Sequence, residues 1–194
     1  MAALPQRRLT ETEYLTQERL ASTKSEFLAG ETFAMAGTSL PHNRISVNVL
    51  VALRSQLEGR GCEVFSSDLR LRVSQTGLYT YPDLVVVCGE PELLDEEHDT
   101  LLNPKLIVEI LSSSTEAYDR GQKFGHYRTI DSLTDYVLIS QDRPLIEHFS
   151  RSRGIWELRT AEGVEATLEL SSIGCRLALA EVYRNVEPDY RIGD

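Results

Sequence analysis

Asp83, Glu109 and Lys123 are the residues whose types and spacing could do chemistry. Asp83 stands at the entry of the apolar run Leu84-Val85-Val86-Val87-Cys88, and Glu109 lies inside a second run, Leu106 to Leu111. Runs this short and β-branched read as strands buried on both faces. A glutamate inside such a strand, ionised and unpaired, costs several kcal/mol, so it requires a cation, a hydrogen-bond network or an opening to solvent. On paired or neighbouring strands, the two carboxylates and the backbone carbonyl of Ile110 make a hard, oxygen-only donor set. That set suits Mg²⁺, with Mn²⁺ as a substitute, because Mg²⁺ is held by one or two carboxylates plus waters and substrate phosphate. Without a metal the two carboxylates repel, and one pKa rises. Lys123 follows on the helix leaving the second strand. From there a lysine would orient or deprotonate a water, or neutralise charge developing on a phosphate.

Each residue also has a plainer reading. Asp83, after Pro82, could cap a turn. Lys123 follows Asp119 by four residues, the spacing of a weak surface ion pair. Glu109 resists such a reading, because its apolar neighbours rule out a solvated face. Glu26, at the start of a hairpin, could reach a metal or its water, or be a surface charge. His42, beside Pro41 at a helix start, could contact phosphate, help to fix Glu26, or be structural. Tyr127 shares one side of the third helix with Phe124 and Ile130 and is a further candidate. The chain has no HExxH, no GxGxxG and no Walker lysine loop. Ser112-Ser113-Ser114-Thr115 reads as a strand-to-helix turn whose hydroxyls and N–H groups could meet a phosphate.

The elements that must position these residues follow in order. Thr10 to Ala21 reads as a helix, with Thr10 and Glu13 as a capping box and Leu9 with Tyr14 as the staple. Glu26 to Met35 reads as a hairpin turning at Ala29-Gly30. Pro41 to Glu58 reads as a helix whose apolar face is Ile45, Val49, Leu50, Leu53 and Leu57. Strands are expected at Cys62 to Phe65 and Leu69 to Val73, then the two central runs joined by an acidic loop, Gly89 to Pro104. A third helix, Glu116 to about Ile130, carries Gly121 and Gly125 and needs packing to hold it. A second hairpin, Tyr136 to Phe149, strands at Ile155 to Arg159 and Ala166 to Leu170, and a short helix from Leu179 to Val186 complete the chain.

With 194 residues and no composition shift, this reads as one domain over 1–194, its core at about 10–186. No run is apolar enough to span a membrane and residues 1–8 carry no secretion signal, so a cytoplasmic location is expected. Cys62, Cys88 and Cys175 lack CxxC spacing and are expected to be free thiols. A net charge of −10 argues against indiscriminate nucleic-acid binding, but leaves room for an acidic metal site in one cleft.

Pro82-Asp83, Glu109-Ile110-Leu111 and Lys123 resemble the PD-(D/E)XK nuclease pattern with its lysine displaced. More closely, the chain resembles the Uma-two family of restriction-endonuclease-like proteins. The resemblance is carried by Ser25 to Glu31, Met35-Ala36-Gly37, His42-Asn43, Tyr81-Pro82-Asp83, Val108 to Ser112, Tyr118 to Phe124 and Leu133 to Tyr136. It implies an α/β (α+β) fold: a restriction-endonuclease-like mixed central sheet flanked by helices, with an N-terminal helix and hairpin. It also implies Glu26, Asp83, Glu109 and Lys123 at catalytic positions, Mg²⁺ as the ion, DNA as substrate and a homodimer. The chain departs from the simplest pattern at Leu111, where a lysine would stand, so Lys123 must reach in from its helix. It departs again at Ser113, where proline is common. The function expected is metal-dependent endonucleolytic hydrolysis of DNA; the alternative is a catalytically silent nuclease-fold dimer that binds nucleic acid or protein.

Overall fold

The computed structural model describes residues 8–186, so the reading of the N-terminal stretch as free of a secretion signal falls largely outside it. The first helix, α1 (Glu11–Glu18), starts as its capping box dictates, with Thr10 and Glu13 exchanging side-chain-to-backbone bonds. A hairpin follows, β1 (Ser25–Leu28) and β2 (Glu31–Ala34). Its two turn residues, Ala29 and Gly30, both have positive φ (52° and 91°), the backbone a tight two-residue hairpin needs. The long helix α2 (Leu40–Leu57) is capped by the Ser39 hydroxyl and buries Ile45, Val49, Leu53 and Leu57 at helical spacing.

Six strands make the central sheet: β3 (Cys62–Ser66), β6 (Leu84–Cys88), β8 (Leu106–Leu111), β9 (Asp135–Ser140), β10 (Leu145–Ser152) and β11 (Ile155–Glu162). Their order is β11-β10-β9-β8-β6-β3, and only the central β8–β9 pair is parallel. A second sheet, β2-β1-β5-β4-β7, combines the hairpin with β4 (Arg70–Val73), β5 (Leu78–Thr80) and β7 (Thr100–Leu101). A small ribbon of β12 (Thr167–Leu170) and β13 (Cys175–Ala178) leads into α5 (Leu179–Val182). Neither β5, β7 nor β13 is legible as a strand in the sequence. β5 follows a turn without an alternating pattern, and β7 is two residues inside the acidic loop.

Strict alternation divides the central sheet into two faces. Leu84, Val86, Leu106, Val108, Ile110, Val137 and Ile139 pack with the apolar stripe of α2. Val85, Val87, Ile107, Leu111, Tyr136 and Leu138 face the other way, toward β4, β5 and Tyr127. Glu109 lies between Ile107 and Leu111, so it belongs to the second face. No helix among the described residues is long and apolar enough to cross a membrane.

Two expectations are corrected here. Cys62 and Cys88 are not free thiols: they stand directly opposite each other in the β3–β6 ladder and form a disulfide, with Cα atoms 4.0 Å apart. Their proximity comes from strand register, which the absence of a CxxC motif could not reveal; Cys175 is free and buried. The third helix is not continuous either. It consists of α3 (Glu116–Tyr118), a π-helical turn at Asp119–Lys123 and α4 (Phe124–Tyr127). A Cβ at Gly121 or Gly125 would meet nothing within 4 Å, so these glycines do not make room for a neighbour. They weaken the regular helix at the place where the wider turn forms.

Candidate active site

Register brings the two central carboxylates together. β6 and β8 pair antiparallel with Leu84 opposite Val108, so the next positions, Asp83 and Glu109, are cross-strand neighbours on one face. Asp83 lies just before β6 begins, and its side chain continues the ladder. Its Oδ2 accepts the Ile110 N–H at 2.7 Å, while its own N–H donates to Glu109 Oε2 at 3.4 Å. Rather than capping a turn, Asp83 takes up a backbone N–H at the end of the β6–β8 ladder, beside Glu109.

Lys123 reaches the pair from the π-helical turn. Its Nζ lies 2.9 Å from Glu109 Oε1, 3.2 Å from Glu26 Oε1 and 3.6 Å from Asp119 Oδ1. Lys123 and Asp119 are both buried, so the surface ion pair suggested by their four-residue spacing is in fact an interior one. The wider turn also leaves the Asp119 carbonyl to accept the Tyr136 hydroxyl at 3.0 Å. Tyr127, one helical turn beyond Lys123, donates its hydroxyl to Glu109 Oε1 at 2.8 Å. Glu26 comes from β1 and also accepts a hydrogen bond from the Thr80 hydroxyl of β5. For His42, one expectation was that it helps to fix Glu26, and both residues line the same pocket. The first turn of α2 places the His42 Nε2 3.2 Å from Asp83 Oδ2.

Burial sets the electrostatics. It pushes the Glu109 carboxyl upward, with Asp83 and Asp119 adding to the rise and Lys123 opposing it, to about 8. Asp119 is raised for the same first reason. Burial opposes the charge on Lys123, but Glu109, Glu26 and Asp119 together hold it well above the ordinary lysine range.

These groups floor a cavity of about 380 Å³. Its walls include Phe33, the segment after β2, Tyr118, and Ser112, Ser114 and Thr115 from the strand-to-helix turn. Asp119, Thr80 and Tyr118 were not singled out from the sequence. The Asp119–Lys123 spacing was the available signal for Asp119; nothing in the sequence marks Thr80, whose role depends on β5 pairing with β1.

Comparisons with known proteins give a consistent family. The family model Uma2, described as "Putative restriction endonuclease", matches residues 12–180. Uncharacterized protein sll1609 of Synechocystis is 40% identical over 164 residues, covering 84% of this chain and 93% of that protein. Uncharacterized protein slr1290 of the same organism is 36% identical over 180 residues, covering 92% and 93%. A crystal structure of a putative nuclease belonging to DUF820 from Anabaena variabilis superposes with a TM-score of 0.73 at 17% identity. It covers 90% of this chain and 97% of its own, and the likeness bears on the fold alone.

Proposed function

The chain belongs to the Uma2 family, and from that premise we propose that it is a Mg²⁺-dependent nuclease hydrolysing phosphodiester bonds in DNA. One observation carries this reading: Asp83 and Glu109 are cross-strand neighbours at the floor of a pocket, with Lys123 buried against Glu109. A structural role alone gives no reason for a buried acid, a buried lysine and an opening to solvent to coincide.

The residues present fit a hard divalent cation. Glu109 Oε1 is engaged by Lys123 and Tyr127, which leaves Oε2 on the side of Asp83. Asp83, Glu109 and the Ile110 carbonyl would hold the ion. Among the described residues no group of three His, Cys, Asp or Glu side chains is arranged to hold a metal ion, so waters and substrate phosphate would have to complete the coordination. Mg²⁺ is commonly held in that way, by one or two carboxylates with waters and phosphate. Bound there, it supplies Lewis-acid charge and lowers the pKa of water.

The protein's own groups do the positioning. Tyr127 fixes the orientation of Glu109, and His42 with the Ile110 N–H fixes Asp83. Lys123, matched by three carboxylates, presents N–H donors to an attacking water or a phosphate oxygen. Glu26 from β1 and Asp119 from the π-helical turn hold that ammonium in place. The test is calorimetric titration with Mg²⁺ and Mn²⁺, followed by cleavage assays on mixed DNA. Wild type should bind metal and cut. Asp83→Ala should do neither while staying folded, and cutting by Asp83→Ala would overturn the reading.

A further inference from the structure

We propose that the substrate enters this pocket as an unpaired strand, with Phe33 as the platform on which one of its bases stacks. This rests on the nuclease reading above and gives it a substrate class. Phe33 lies on β2 directly opposite Glu26, so strand alternation puts its ring on the same face as that carboxylate. Phe27, on β1, points the other way and is buried against Tyr14 and Tyr79. Phe33 is 51% exposed and lines the pocket, and among the described residues no aromatic ring packs against it. A large apolar ring left open at the rim of a polar site, while its neighbour in the same hairpin is buried, points to a flat ligand.

The pocket lining offers little charge for the phosphate contacts on which a duplex binder's affinity mainly rests. A duplex binder neutralises phosphates with Lys and Arg and fixes its register through them. Among the described residues lining this pocket, Lys123 is the only Lys or Arg, and Glu109, Glu26 and Asp119 already surround it. The chain as a whole carries −10. Affinity must then come from other contacts. The open ring of Phe33 supplies base stacking, which tolerates any sequence because every base has a π-face. Ser112, Ser114 and Thr115, which also line the pocket, supply hydroxyls. The cavity, about 380 Å³, is at the small end of ligand pockets and suits one nucleotide at a time.

The test is fluorescence anisotropy with a labelled oligothymidylate and with the matching blunt duplex, in Ca²⁺ in place of Mg²⁺. Wild type should bind the single strand more tightly than the duplex. Phe33→Ala should weaken single-strand binding by about 5- to 150-fold, the range for loss of one stacked base, and Phe33→Tyr should restore it. Between about 50 and 200 mM salt, single-strand affinity should fall only about threefold per neutralised phosphate, and few phosphates should count. Phe33 is half-exposed on an edge strand, so the alanine variant should keep its circular dichroism. Equal or tighter duplex binding, or an unchanged Phe33→Ala, overturns the proposal while leaving the nuclease reading intact. Binding of neither probe by wild type overturns both.

Discussion

Asp135 opens β9 opposite Leu106, and Glu109 lies three positions further along the same parallel pair, opposite Leu138. Both carboxylates are buried, yet they are held in opposite ways. Asp135 points to the α2 face of the sheet. There it accepts hydrogen bonds from the Thr134 hydroxyl at 2.6 Å and from the Ser172 hydroxyl, and pairs with His148 Nε2 at 2.7 Å. Burial pushes its carboxyl up, but His148, Ser172 and Thr134 outweigh burial and leave it below the ordinary range. Glu109 points to the other face, has Asp83 and Asp119 nearby, opens to a cavity and is raised. A buried carboxylate alone therefore does not mark a site. The distinguishing features are incomplete satisfaction by donors, a second acid in register and access to solvent.

Removing each carboxylate should separate the two most sharply. Glu109→Gln keeps the shape and an acceptor for Tyr127, but removes the charge that a metal needs. Cleavage and calorimetric metal binding should be abolished, while the fold is retained, because Glu26 and Asp119 still pair with the Lys123 ammonium. At Asp135 the larger lesion is to stability. Asp135→Ala leaves His148 without its partner in the interior and frees the turn that Ser172 anchors. It should cost about 3–5 kcal/mol in urea unfolding, with cleavage per folded molecule unchanged. A stable Asp135→Ala that failed to cut would make Asp135 part of the site.

The acid dependence of stability should carry the same contrast. Asp135 has a depressed folded pKa, so its contribution is present above the unfolded value of about 3.9 and is lost as pH falls through the folded value. Asp135→Asn should therefore be less stable than wild type at neutral pH, by about 1.5–3 kcal/mol for bonds to a charged group. The gap should close as the pH falls below the ordinary carboxylate range. Glu109 runs the other way: with a raised folded pKa, its contribution is present at low pH and declines as pH rises toward the folded value. Unfolding curves across an acid series, with a chelator present, would check both. A gap for Asp135→Asn that stayed constant through acid would mean that its carboxylate charge is not what is being lost.

The sequence made one of these acids visible and concealed the other. Glu109 stands inside an unbroken apolar run, where any carboxylate is conspicuous, and Asp83 stands at the mouth of another. Asp135 is preceded by Thr134 at a strand start, where a polar residue looks ordinary, and its partners His148 and Ser172 lie 13 and 37 residues away. The regular elements were readable for the same reason: α1, α2, β6 and β8 have local patterns with caps or apolar periodicity. What was not readable depends on pairing between distant segments. The Cys62–Cys88 bridge and the meeting of His42 with Asp83 both follow from tertiary placement. The π-helical turn was half visible, since Gly121 and Gly125 signalled weakness without saying how the backbone would use it. Its effect is to bury both Asp119 and Lys123 at the pocket.

The smallest change tests whether the donors around Glu109 serve the fold, as those around Asp135 do, or the site. Tyr127→Phe removes only the hydroxyl that donates to Glu109 Oε1 and leaves the ring packed against Tyr136. If that bond were mainly structural, its loss would appear as about 1 kcal/mol of stability and nothing else. If it orients a metal ligand, affinity for Mg²⁺ should also fall by about tenfold, the lower end of what partners of metal ligands contribute. Lys123 still holds Glu109 Oε1 in this variant, which is why the effect should be modest rather than total. We expect both changes together. A variant with unaltered metal affinity and lower stability would place Tyr127 with Thr134 and Ser172, as a residue that secures a buried acid and has no part in metal binding.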